Sequence, residues 1–314
     1  MRSIRKHLLV LTSAGMLLFA AVAWPADDDV SHPSDILQMG GGAIAIELDS
    51  DGMLVTHDEI LQWIKTAARA VSHYYGRYPV KEVVIRVKPR HGKGNASGTT
   101  YGDEDGAFIS MGIGNAVSDA EMQADWVMTH EMVHLAFPRL AENQHWAEEG
   151  QATYIEPVAR AQIGDLSVDY LWQETLEGMP NGLPGPDDQG LDHTASWGRT
   201  YWGGALFYLL ADVQIRERTH NRYGLQDALR AVVAADGNVE TSWPLERAFA
   251  VADKAVGVPV LEELYTSMKD KPVSPDLPAL WKKLGVALVD GKVVYDDKAP
   301  DAAIRRAITA PDTQ

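Results

Sequence analysis

Apolar residues recur along the chain with two periods, and the change of period divides it. Short apolar runs at Ala43–Leu48, Val83–Val87 and Ala107–Met111 are bounded by polar and glycine-containing turns and predict strands. Between the first two, Ile60, Leu61, Ile64, Ala67, Ala68 and Val71 recur at helical spacing behind Thr56, a capping residue. They predict a helix over 57–75 with one face on a sheet. The stretch between Val87 and Ala107 is rich in Gly and Asn and reads as a loop. From Asp119 onward the pattern is nearly all helical, at about 120–137, 144–162, 167–177 and 197–218, with shorter helices beyond Leu225. Gly178–Gly190 interrupts it with Gly and Pro residues that predict a surface loop. Near the end, Val286–Val289 and Lys292–Tyr295 flank Asp290-Gly291, a strong hairpin signal. The class expected is α+β, a small mixed sheet followed by a mainly helical half. The folded body would comprise a sheet-bearing part over 43–137, a helical half over 138–285, and a terminal hairpin and tail over 286–314.

The first residues follow a different rule. Arg2, Arg5, Lys6 and His7 precede the apolar run Leu8–Val22, and Ala21-Val22-Ala23 offers small residues for cleavage, the layout of a secretory signal peptide over 1–23. The run is shorter than the roughly 20 residues that span a bilayer, so no stable membrane anchor is expected after cleavage. Residues 24–42, polar, acidic and glycine-rich, read as a flexible lead-in. The expected address is outside the cytoplasm, periplasmic or secreted. Removing 1–23, which holds three basic residues and no acid, takes the formal charge from −16 to −19. Such an acidic surface argues against nucleic acid or anionic membrane as the main partner, because both require clustered Lys and Arg. The chain has no Cys, which removes disulfides, thiol catalysis and thiolate metal ligands.

The chemistry concentrates in His130-Glu131-Met132-Val133-His134, inside the helix expected over 120–137 and followed by Pro138. Four residues make slightly more than one helical turn, so His130 and His134 project from one face and can reach one cation. Glu131 lies on the flank of that face, placed to take a proton from water activated by the metal. A catalytic zinc takes three protein ligands and keeps one position open. The third is offered after a short reversal by Glu148 or Glu149; adjacent helical residues point about 100° apart, and spacing alone does not choose between them.

The segment Trp146-x-x-Glu149-Gly150-x-Ala152 resembles the Trp-x-x-Glu-Gly-x-Ala stretch that follows the zinc helix in gluzincin metallopeptidases, both aminopeptidase-N-like and glycyl-aminopeptidase-like. The resemblance implies that Glu149 is the ligand, that one zinc ion is held per chain, and that the fold is a thermolysin-like zincin catalytic domain. Tyr201-Trp202-Gly203-Gly204-Ala205-Leu206 resembles the glycyl-aminopeptidase-like group, in which a Tyr opening this helix donates its hydroxyl to the oxyanion; the match implies that role for Tyr201. It spans roughly Asp119–Ala234. The third His of the metzincin pattern is absent, as is a Gly-x-Met-Glu-Asn segment for gripping a free α-amine.

These residues predict a zinc peptidase acting on peptide or protein substrates, whose backbone could lie along Ala107–Met111 as a sheet edge. The alternative is a non-catalytic periplasmic binding or assembly protein that retains a structural zinc. His145, Arg199 and His193 read as exposed or helix-capping residues. Trp63, Trp126, Trp146 and Trp202 read as core, and the acidic clusters Asp27–Asp29 and Asp103–Asp105 as solvated loops.

Overall fold

The computed structural model of the chain describes residues 33–94 and 96–311. The expected signal peptide, the first part of the lead-in and Asp27–Asp29 lie outside the described residues. Strand β1 (Asp35–Met39) pairs antiparallel with β2 (Gly42–Leu48), Met39 opposite Gly42. The intervening Gly40 and Gly41 have φ of 53° and 86°, as a two-residue hairpin turn with left-handed central residues requires. Part of the stretch read as a flexible lead-in is therefore an edge hairpin; Leu37 and Met39 pack on the core, a pattern too short to stand out beside the glycines.

Helix α1 (His57–Tyr75) starts at a Thr56/Glu59 capping box and stops at Gly76, φ 74°. It carries the chain from β2 to a parallel β3 (Glu82–Arg90). The segment expected to be a loop holds a strand, β4 (Ser97–Asp103), antiparallel to β5 (Gly106–Gly114), which in turn runs parallel to β3. The sheet order is β1-β2-β3-β5-β4, so Ala107–Met111 lies inside the sheet and β4, like β1, is an edge strand. Ser97-Gly98-Thr99-Thr100-Tyr101-Gly102 has no apolar alternation because β4 is only half buried, and the periodicity rule sees nothing there.

The helix expected over 120–137 is two helices, α2 (Asp119–Ala124) and α3 (Val127–His134). Asp125 breaks it: its backbone is extended, and its carboxylate accepts the N–H groups of Val127 at 2.7 Å and Ala96 at 3.0 Å. After a 3-10 turn at Glu142–Gln144 comes α4 (His145–Gln162), then α5 (Val168–Gly178), a 3-10 turn at Met179–Gly182, and a π-helical turn at Gly198–Gly203 that runs into α6 (Gly204–Arg218). Helices α4 and α6 touch backbone to backbone, since a Cβ on Gly150 would strike the Gly204 backbone. Helix α1 is buried on several sides, against β1, α3, α4 and α7 (Leu225–Ala234), and so joins the sheet to the helical half.

Gly178–Gly190 is not simply a surface loop. Met179, Gly182, Asp188 and Gly190 are buried, and a side chain at Gly178 would occupy the space of the Trp202 indole. Helices α8 (Leu245–Val256), α9 (Val260–Met268) and α10 (Leu277–Leu284) follow. Strands β6 (Val286–Val289) and β7 (Lys292–Tyr295) form the expected hairpin. The tail beyond it holds a further helix, α11 (Ala302–Thr309), tied down by buried Arg305, which donates to the carbonyl of Leu284 at 3.0 Å. Among the described residues no helix is long and apolar enough to cross a membrane.

Candidate metal centre

Helix α3 carries Trp126, its N-cap, and then His130 and His134 one and two turns on, in one stripe. The imidazole Nε2 atoms of His130 and His134 lie 3.2 and 3.7 Å from Glu149 Oε2, and one donor atom from each residue falls within 4.8 Å of the others. Bonds of roughly 2.0–2.1 Å to one tetrahedral zinc place two donor atoms about 3.3 Å apart, close to the spacing found. His130 Nδ1 is buried without a hydrogen-bond partner among the described residues. Two imidazoles and a carboxylate are a donor set that fits zinc.

The two adjacent carboxylates face different partners. Glu148 turns away, accepting the Leu140 N–H at 3.0 Å and facing His145 Nδ1 at 3.0 Å. Glu149 faces the two histidines of α3. Burial works to raise the Glu149 carboxyl, but the His134, His130 and His145 imidazoles outweigh it and hold the group well below the usual carboxylate range. The sequence places His145 at the surface or as a cap; instead its Nε2 lies 3.2 Å from Glu149 Oε1, so it flanks that carboxylate. The sequence signal available was its position one turn before Glu149.

Glu131 is 7% exposed and meets the edge strand. Thr100 Oγ1 lies 2.8 Å from Glu131 Oε2 and 2.7 Å from the Glu131 carbonyl oxygen, an acceptor in either case. A Cβ on Gly98 would collide with the Glu131 side chain, so glycine lets β4 lie against α3. Burial pushes the Glu131 carboxyl up to about 7, against the opposing pull of His130 and Thr100; a group poised near neutrality suits proton transfer in both directions. Thr100 and Gly98 were missed because the strand that carries them was.

Tyr201 sits in the π-helical turn with its ring stacked 6.4 Å from that of His130, close enough to the Glu149 carboxylate to feel its charge. Burial, with the nearby Glu149 and Glu131, raises its pKa and keeps the phenol protonated. Arg199, read as exposed or capping, is 3% exposed. It pairs with buried Asp188 at 2.6 Å and donates to the Gly182 carbonyl, pinning the 178–190 segment to the turn that holds Tyr201. His193 stays at the surface, 2.8 Å from Asp270. Trp63 and Trp146 are core and Trp202 packs against it, but Trp126, at the start of α3, is exposed.

No family model matches the chain. Heat shock 70 kDa protein 17 of Arabidopsis thaliana is 26% identical over 96 residues, 31% of this chain and 11% of that protein, too small a share of either to imply a common fold. An aminopeptidase N family protein from Idiomarina loihiensis superposes on 80% of this chain and 49% of its own, with 11% identity and a TM-score of 0.58. A two-domain M1 zinc metallopeptidase variant bound to L-arginine covers 78% of this chain and 52% of its own, with 16% identity and a TM-score of 0.50. An M1 zinc metallopeptidase from Deinococcus radiodurans covers 78% and 52%, with 15% identity and a TM-score of 0.48. The chain thus spans about half the length of these structures. The likeness is one of fold: an α+β arrangement resembling M1 peptidase domains, which extends the gluzincin resemblance from short motifs to the architecture.

Proposed function

We propose that the chain is an exported zinc-dependent peptidase that hydrolyses peptide bonds with an activated water. His130, His134 and Glu149 hold the ion, Glu131 is the general base and Tyr201 stabilises the oxyanion. Bound there, zinc would supply Lewis acidity, lowering the pKa of water and polarising a carbonyl. Glu131, aimed by the Thr100 hydroxyl and shielded by β4, takes a proton from the attacking water and returns it to the leaving amine. Tyr201, held protonated, donates to negative charge that develops on the carbonyl oxygen only as the water adds to the carbonyl carbon. The substrate backbone pairs along the free edge of β4, where an extended peptide can add as a strand; β5, already paired on both sides, has no edge to offer. Export rests on the basic, apolar and small-residue order of the leader.

The observation that carries the reading is the convergence of three ligand-type side chains with a buried carboxylate beside them that is not one of the converging group. A purely structural site would have no use for Glu131. The test is metal content of the purified chain and of Glu149→Ala, with both assayed on a mixed peptide library. One zinc per chain, lost or weakened in the variant, together with cleavage by the unaltered chain alone, is the expected result. Zinc without any cleavage would turn the reading toward the binding-protein alternative, and no zinc would overturn it.

A further inference from the structure

Of the tryptophans among the described residues, only Trp126 and Trp197 are exposed, at 45% and 47%. Both lie at the candidate site. Trp126 stands one helical turn before His130, its ring 5.0 Å from the imidazole in an edge-to-face arrangement. Trp197 stands one turn before Tyr201, with ring centroids 6.4 Å apart. Since Tyr201 stacks on His130, the four rings form a continuous row in the order Trp126, His130, Tyr201, Trp197, with a solvent-exposed indole at each end.

A large apolar surface left in water is unfavourable, and soluble proteins that keep one commonly use it for binding. The other indoles among the described residues are buried wholly or in part, so the exception coincides with the site. Building on the peptidase reading, we propose that Trp126 and Trp197 determine specificity: they receive aromatic or large apolar side chains flanking the scissile bond. The position of the row identifies the occupant. It runs through a candidate zinc ligand and the candidate oxyanion donor, so a group resting on either indole belongs to the same extended chain whose carbonyl approaches the triad. Rigid indoles contact such side chains over a wide area with little loss of conformational freedom, and aromatic pairs add attraction beyond the area buried.

The test uses the zinc-loaded Glu131→Gln protein, in which turnover is expected to be slowed enough for binding to be read, titrated by calorimetry with two end-blocked pentapeptides, one all alanine and one with a central phenylalanine. The phenylalanine peptide is expected to bind about tenfold more tightly, as one aromatic contact provides. That ratio should fall to about threefold or less in Trp126→Ala or Trp197→Ala, and be largely kept in Trp126→Phe and Trp197→Phe, which retain a ring. An unchanged ratio in both alanine variants would overturn the proposal, as would tighter binding of a neutral oligosaccharide such as maltohexaose than of the phenylalanine peptide. Because the readout is binding by a protein without its base, failure of hydrolysis in the unaltered chain and failure of indole recognition register separately.

Discussion

The candidate site has two walls, built in different ways. On the sheet side, α3 and β4 present His130, His134, Glu131, Thr100 and Gly98. Three of these sit within five consecutive residues, and the other two come from a strand lying directly against them. On the helical side, α4 and the π-helical turn present Glu149, His145 and Tyr201, positioned by parts distant in sequence: the Gly150–Gly204 crossing, the Trp202 indole against Gly178, and the Arg199–Asp188 ion pair. The sheet wall is fixed by local helix geometry and the helical wall by tertiary packing. Substitutions on the first should therefore alter chemistry with little loss of stability, whereas those behind the second should alter both.

The largest separation of chemistry from stability is expected at Glu131. Glu131→Gln preserves shape and removes the base, so kcat should fall by about 10²–10⁴, the usual contribution of a positioned base. Zinc content and melting temperature should stay close to those of the parent, since Glu131 is not one of the converging ligands. Measured on one preparation, retention of substantial activity would remove Glu131 from the mechanism. A parallel loss of zinc would show that it belongs to the ligand set.

On the helical wall the corresponding change is Tyr201→Phe. Loss of one oxyanion donor costs about 10²–10³ in kcat, and since Tyr201 is only partly buried the fold should tolerate it. The expected signature is a fall in kcat with KM little changed, because the hydroxyl acts on charge that appears in the transition state. A rise in KM alone would make Tyr201 a substrate contact.

The contrast between walls is sharpest behind Tyr201. Arg199 and Asp188 are both almost fully buried, at 4% and 1% side-chain exposure, and removing one partner of such a pair costs about 3–5 kcal/mol by stranding the other charge. Arg199→Met should therefore lower the melting temperature and also reduce kcat by about tenfold through misplacement of Tyr201. The double variant Arg199→Met with Asp188→Leu should recover stability, since it strands no charge, but not the full rate. If the single variant loses stability while the remaining folded molecules keep full kcat, the ion pair holds the fold alone and has no part in aiming Tyr201.

The same contrast explains what could be read from sequence. His130, Glu131 and His134 were legible because their geometry follows from the helical period, and Asp290-Gly291 because its turn chemistry is local; Asp290 and Gly291 indeed have φ of 50° and 72°. Glu149 needed a resemblance, since period alone leaves Glu148 equally placed. Strand β4 was missed because an edge strand lying on a helix through glycines has no apolar alternation to show, and Thr100 was lost with it. The break at Asp125 was hidden because its carboxylate caps α3 across a register that looks continuous. Arg199 and Trp126 were misread in opposite directions: a charge can be buried when Asp188 waits 2.6 Å away, and an indole can be left exposed when it opens a helix at the mouth of a site. Neither the ion-pair partner nor the exposure is visible in one dimension.

The smallest expected effect tests whether β4 belongs to the catalytic wall or merely adjoins it. Thr100→Val keeps the branched shape suited to a strand and deletes the hydroxyl that faces Glu131. A hydrogen bond to a charged partner contributes about 1.5–3 kcal/mol at most, and only the part that aims the carboxylate, rather than merely solvating it, reaches the barrier. The expected loss in kcat is about tenfold or less, with zinc content unchanged. The decisive comparison is with Thr100→Ser, which restores the hydroxyl without the methyl group. Recovery of the rate in Ser would assign the effect to the hydrogen bond, whereas a loss in Ser with none in Val would assign it to packing of the strand against α3 and leave Glu131 aimed by its helix alone.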